Sequence, residues 1–136
     1  MHGMAFNSTD ISVPARYSSL PGLIDALSRQ AGDFGLAGLA LQRLQLVVEE
    51  LFANTINHGH GTECDQPVNV ALHFADDQLT LRYSDGAPPF DIAENAGAEP
   101  STAAIGGVGL ALIHGMSRAV RYQRENDRNI TEVDLA

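Results

Sequence analysis

The chain has 136 residues, 44% hydrophobic and 18% charged, which fits one soluble globular domain over residues 1–136 with a single substantial core. No apolar run approaches the roughly 20 residues that span a bilayer, and the N-terminus lacks the pattern of a secretory signal, so a cytoplasmic, membrane-free protein is expected. Seventeen acidic residues against eight arginines, with no lysine, give a formal charge of −9, which disfavours direct nucleic-acid binding and suits a basic protein partner.

In chain order, the loose alternation from about Met4 to Val13 predicts an edge strand. Ser19 is placed to cap a helix with Pro21 in its first turn, and Leu20, Leu23, Ile24, Leu27 and Ala31 recur at helical spacing. Gly32 and Gly35 loosen the end of that helix. A longer helix is predicted from about Leu39 to His58, with Leu41, Leu44, Val48, Leu51 and Thr55 on its core-facing stripe and Gly59 and Gly61 at its exit. The lone Cys64 has no internal disulfide partner. Residues 67–74 and 79–84 read as paired strands joined at Asp76-Asp77. Residues 86–106 read as a long Gly/Pro/Ala and acidic segment with little periodicity, of the kind that is either a functional lid or disordered. A third helix is predicted from Gly107 to about Ser117, then strands 120–123 and 130–135 around a polar turn at Asn126 to Asn129. The order predicts a two-layer α/β sandwich, a mixed, mostly antiparallel sheet with three helices on one face.

Glu50, Asn54 and His58 are spaced i, i+4, i+8, down one flank of the long helix at the border of its apolar stripe. A carboxamide oxygen is a hard, neutral ligand suited to Mg²⁺, and a carboxylate one turn away can deprotonate an attacking hydroxyl. Such a flank is more often plain solvated surface, but Asn54 and Asn57 inside an apolar helix call for a reason, since Asn is a poor helix former. His58-Gly-His60 lacks the further ligands of a zinc site.

Asp85-Gly86 ends the second paired strand, where a carboxylate facing a pocket can accept a hydrogen bond from an exocyclic amine such as that of adenine. The bland alternative is an ordinary Asp-Gly turn. Gly106-Gly107-Val108-Gly109 opens an apolar helix, and glycines there let phosphate oxygens approach backbone N–H groups at a helix N-terminus. It is neither a Walker A loop, which needs Lys and Ser/Thr, nor a Rossmann fingerprint, because Leu112 stands where the third glycine belongs.

Three motifs, Glu50-x-x-x-Asn54-x-x-x-His58-Gly59, Asp85-Gly86-x-x-x-Phe90-Asp91 and Gly106-Gly107-Val108-Gly109-Leu110-Ala111-Leu112-Ile113, stand in this order over most of the chain. Together the set resembles the ATPase superfamily of gyrase, histidine kinases and MutL (the GHKL, or Bergerat-fold, ATPases). Its short form is similar to the bacterial anti-sigma-factor serine/threonine kinases. The resemblance implies ATP and Mg²⁺ as cofactors, Glu50 as catalytic base and Asn54 as the Mg²⁺ ligand. It implies that Asp85 binds the adenine amine with support from Thr131 through water. Gly107, Val108, Gly109 and Leu110 would line the phosphates, with Asn57 and Ala87 also about the nucleotide and residues 93–106 as a short lid. It further implies a STAS-domain anti-sigma antagonist as the phosphorylated partner, a sigma factor as the sequestered one, and a homodimer.

Two departures matter. Ala87 and Pro88 stand where some relatives have glycine, and no Arg or Lys occurs between Arg82 and Arg118 to meet a γ-phosphate from the lid. Slow turnover is therefore expected, with a cation coming from elsewhere in the fold or from a partner. A non-catalytic ATP-dependent sequestering module is the alternative, which Glu50 argues against because binding alone needs no base. The catalytic half of a histidine kinase would need a phospho-accepting helical hairpin, and only one helix is predicted before Leu36.

Overall fold

The computed structural model describes residues 6–7, 10–92 and 112–135. Strands β1 (Phe6–Asn7) and β2 (Ile11–Pro14) lead through a 3₁₀ turn (Tyr17–Ser19) into helix α1 (Leu20–Asp33). Helix α2 (Gly38–Asn54) continues directly into a π-helical turn, Thr55–His60. A hairpin follows, β3 (Pro67–Ala75) and β4 (Gln78–Asp85), and a second hairpin, β5 (Ala119–Glu125) and β6 (Arg128–Asp134), closes the fold. Residues 112–116 are helical and are labelled α3.

The sheet runs β1/β2–β3–β4–β6–β5, with β1 and β2 as successive segments on one edge. Every described pairing is antiparallel. β4 and β5 point the same way, but β6 lies between them and runs against both, so no parallel ladder forms. Both hairpins turn on two residues in the left-handed region, Asp76 and Asp77 at φ 53° and 60° and Asn126 and Asp127 at 54° and 62°. These are the short polar residues that tolerate a type I′ turn, whose twist matches that of the strands. The second turn is thus confined to Asn126-Asp127, and Arg128 and Asn129 belong to β6, where a longer turn through Asn129 was expected.

Alternation along the strands places Val68, Val70, Leu72, Leu79, Leu81, Tyr83 and Val133 on one face. Leu23, Leu27 and Ala31 of α1 and Leu44, Val47, Val48, Leu51 and Phe52 of α2 bury against that face, giving the expected two layers. Ile113 of α3 is buried in the same core. The opposite face is polar, with Arg121 bridging Asp134 at 2.7 Å and Thr80 donating to the same carboxylate.

Two helix ends differ from the sequence-based expectation. Ser19 makes no side-chain cap, because the chain enters α1 already helical through the 3₁₀ turn. Gly35, at φ 89°, terminates α1 and does not merely loosen it: the N–H of Leu36 returns to Ala31 O. The change with functional weight is in α2. Its α-geometry stops at Asn54, and the next turn takes the wider i→i+5 form before Gly61, at φ 79°, ends it.

Phe52 is fully buried at the point where α2 meets the sheet. Phe52→Ala should lower unfolding free energy by about 3–5 kcal/mol through lost transfer energy and a residual cavity. Urea denaturation checks this, and a change below about 1 kcal/mol would show that α2 is not seated by that ring.

Candidate functional site

The polar centre of the molecule lies where the π-turn of α2 passes the end of β4. Asp85, only 8% exposed, closes β4 on the inward face two residues after Tyr83. Its Oδ1 accepts from the Ala87 N–H at 3.1 Å, forming a tight Asx-type turn, and from Asn129 Nδ2 at 2.9 Å. Its Oδ2 accepts from Thr55 Oγ1 at 2.7 Å. Three donors from three segments of the chain thus hold one buried carboxylate, which offsets the cost of taking it out of water.

Asn129 locks the turn that follows. Its Nδ2 also reaches the carbonyls of Ala87 and Pro88 at 3.1 and 3.0 Å, while its Oδ1 accepts from Arg124 Nη1 at 3.1 Å and from the Tyr122 hydroxyl. Arg124 Nη1 donates as well to Ala87 O at 2.8 Å. The amide therefore faces acceptors with its nitrogen and donors with its oxygen, and the start of the 86–92 segment is bound to β5 and β6. His114 Nε2 pairs with Ile92 O at 3.0 Å, tying α3 to the far end of the same segment.

A small cavity of about 30 Å³ opens on this cluster. That is room for about two waters, less than a purine occupies. Asp85, Thr131, Tyr83 and Asn129 contribute its polar wall, and Asn54, Ala87, Pro88 and Phe90 also line it. Pro88 and Phe90 are exposed, so drawing them back costs little core packing.

Among the residues singled out from sequence, Asn54, Asp85, Ala87 and Thr131 line this one cavity. Thr131 is buried at 3% exposure, opposite Tyr83 in the β4–β6 register. Glu50 is half-buried one α-turn before Asn54 and does not line the cavity. His58 lines it, though exposed; Asn57 is exposed and stands apart from it. The helix takes π-geometry after Asn54, and of the three residues spaced i, i+4, i+8 it is Asn54 and His58 that line the cavity. Gly107, Val108, Gly109, Leu110 and the lid at 93–106 lie outside the described residues. Among the described residues no group of three or more His, Cys, Asp or Glu side chains is placed to hold a metal ion, and no helix is long and apolar enough to cross a membrane.

Sequence reading missed three members of the cluster. Thr55 was assigned only to the apolar stripe, Tyr83 only to a strand, and Asn129 to a turn. The signal for Asn129 was the two-residue turn at Asn126-Asp127, which puts Asn129 in phase with Thr131 and Val133. For Thr55 it was a hydroxyl on an otherwise apolar face.

Matching against protein-family models assigns residues 13–135 to the histidine kinase-like ATPase domain. No curated protein matches the sequence.

Gly59 packs so closely on this turn that an added Cβ would lie 2.7 Å from the Ala87 Cβ. Gly59→Ala should therefore destabilise the protein by about 1–3 kcal/mol through overpacking, and Ala87→Gly in the same chain should recover most of the loss. Thermal unfolding of the single and double variants tests the pair; purely additive effects would show that the two residues do not meet.

Proposed function

The chain belongs to the histidine kinase-like ATPase domain family, and from that premise we propose that it is a serine/threonine protein kinase of the anti-sigma-factor type. The proposed reaction transfers the ATP γ-phosphate to a serine of a STAS-type antagonist, and the same chain sequesters a sigma factor, alone or as a homodimer. The observation that carries the nucleotide end of this reading is Asp85. It is a buried carboxylate with three internal donors and one acceptor position left open beside a cavity.

Each residue then has a physical task. Asp85 accepts the exocyclic amine of adenine, with Thr131 beside it on the same wall. Asn54, half-buried on the cavity side of α2, has the neutral hard oxygen that Mg²⁺ accepts when phosphates and waters fill its other positions. Glu50, half-buried one turn before Asn54, would take the proton of an incoming serine hydroxyl. Mg·ATP supplies the transferable phosphoryl group. Pro88 and Phe90, exposed at the edge of the cavity, would be the residues to move for a purine to enter. The family match and the acidic charge of −9, which suits a basic partner face, support the reading without identifying the partner.

A second reading, a nucleotide-dependent sequestering module without transfer, is favoured by one observation. Three arginines of the C-terminal hairpin are engaged within the fold: Arg121 with Asp134, Arg124 with Ala87 O and Arg128 with Ser84 and Asn69. Phosphate charge would then be met by Mg²⁺ and backbone amides, by another arginine of the fold or by a partner's arginine.

Calorimetric titration with Mg·ATP and a labelled-phosphate transfer assay separate these readings. Glu50→Ala should bind ATP within about twofold of the parent yet lose transfer by about 10²–10⁴. Asp85→Asn should weaken ATP binding by about tenfold or more. Transfer that survives Glu50→Ala would remove the base, and binding unchanged by Asp85→Asn would remove the adenine site.

A further inference from the structure

Resting on the reading of Asp85 as the carboxylate that recognises the base, we propose that Tyr83 and Thr55 form a hydroxyl relay that sets base specificity by fixing Asp85 as an acceptor with one free position.

The direction of the relay follows from counting protons. Thr55 Oγ1 has one, and it lies 2.7 Å from Asp85 Oδ2, 3.1 Å from Leu51 O and 2.6 Å from the Tyr83 hydroxyl. A main-chain carbonyl and a carboxylate oxygen only accept. The proton of Thr55 therefore serves those two, and the contact with Tyr83 is closed by the tyrosine's own proton. Burial, and to a lesser degree the Asp85 charge, pushes the Tyr83 hydroxyl well above its ordinary range, although its bond to Thr55 acts the other way. The donor is thus retained at neutral pH. Of the two acceptors left to Thr55, Asp85 is nearer and charged, and hydrogen bonds to charged acceptors are the stronger ones.

Asp85 then has a defined remaining capacity. A carboxylate offers about four acceptor positions. Oδ1 is filled by the N–H groups of Ala87 and Asn129, and Oδ2 has Thr55 on one side. One position on Oδ2 is left, and it requires a donor. An aminopurine provides one; a purine with a carbonyl at the same place sets lone pair against lone pair. Without the Thr55 hydroxyl, Oδ2 has no internal partner and the carboxylate can turn about its Cβ–Cγ bond. Thr55 is thus a positioning residue that acts through Asp85, and Tyr83 acts one step further back. Thr55 stands at the end of the α-helical ladder, its own N–H still bonded to Leu51 O, and the π-turn follows from it.

The test compares ATP with ITP, whose base carries a carbonyl in place of the amine, by calorimetry on the full chain with Mg²⁺. Thermal unfolding without nucleotide establishes that each variant is folded. The parent should prefer ATP. Thr55→Val, nearly the same shape without the hydroxyl, should weaken ATP about tenfold and leave ITP nearly unchanged, so that the preference collapses. Thr55→Ser should restore it. Tyr83→Phe, which keeps Thr55, should give an intermediate loss of preference and decides the matter if the valine variant does not fold. A parental ATP/ITP ratio in either Thr55→Val or Tyr83→Phe, or failure of Thr55→Ser to restore it, overturns the relay. A parent chain that binds neither nucleotide overturns the base-pocket reading itself, and the relay with it.

Discussion

A buried carboxylate needs donors, and the satisfaction of Asp85 organises this molecule. Its partners come from the helical layer (Thr55), from the last strand (Asn129) and from its own turn (Ala87). None of these segments is adjacent to another in sequence, apart from the turn itself. The requirement that all three converge fixes how far α2 extends, where β6 begins and how the chain leaves β4. Losing any one donor would leave a buried carboxylate short of a partner, a larger cost than the mean worth of a hydrogen bond.

The π-helical turn makes sense in this light. An α-helix continued through Thr55–His60 would carry its side chains round at a different rate. Thr55, whose N–H still closes the α-helical bond to Leu51 O, faces Asp85 at the head of the wider turn, and His58 within that turn lines the same cavity as Asn54. The Thr55 hydroxyl also bonds back to Leu51 O, meeting a carbonyl near the point where the α-helical ladder changes. Such turns are rare and concentrate at functional sites. Here the irregularity lies between two residues of one cavity.

The departures from the family pattern now have a spatial meaning. Ala87 places a methyl group against Gly59, and its carbonyl is held by both Asn129 and Arg124. The turn after Asp85 is therefore fixed by side chains at a position where a glycine would have left the backbone looser. Arg124 is used here as a structural cation beside the Asp85 turn. Arg121 and Arg128 of the same hairpin are likewise bound within the fold, to Asp134 and to Ser84 and Asn69.

Composition and periodicity by themselves determined the layer architecture, because apolar alternation in strands and the 3.6-residue stripe in helices depend only on local geometry and burial. They also determined both hairpins, since Asp76-Asp77 and Asn126-Asp127 carry the left-handed turns in their residue types. Asn54 and Asp85 were legible as site candidates from residue chemistry and spacing, and Ala87 and Thr131 only through what the family resemblance implies. What only the tertiary structure decided is which polar residues answer one another. Thr55 and Tyr83 are 28 residues apart, and Asn129 is 44 from Asp85. No local rule links them, because their pairing is selected by the burial of a single carboxylate, and that burial exists only after the layers close.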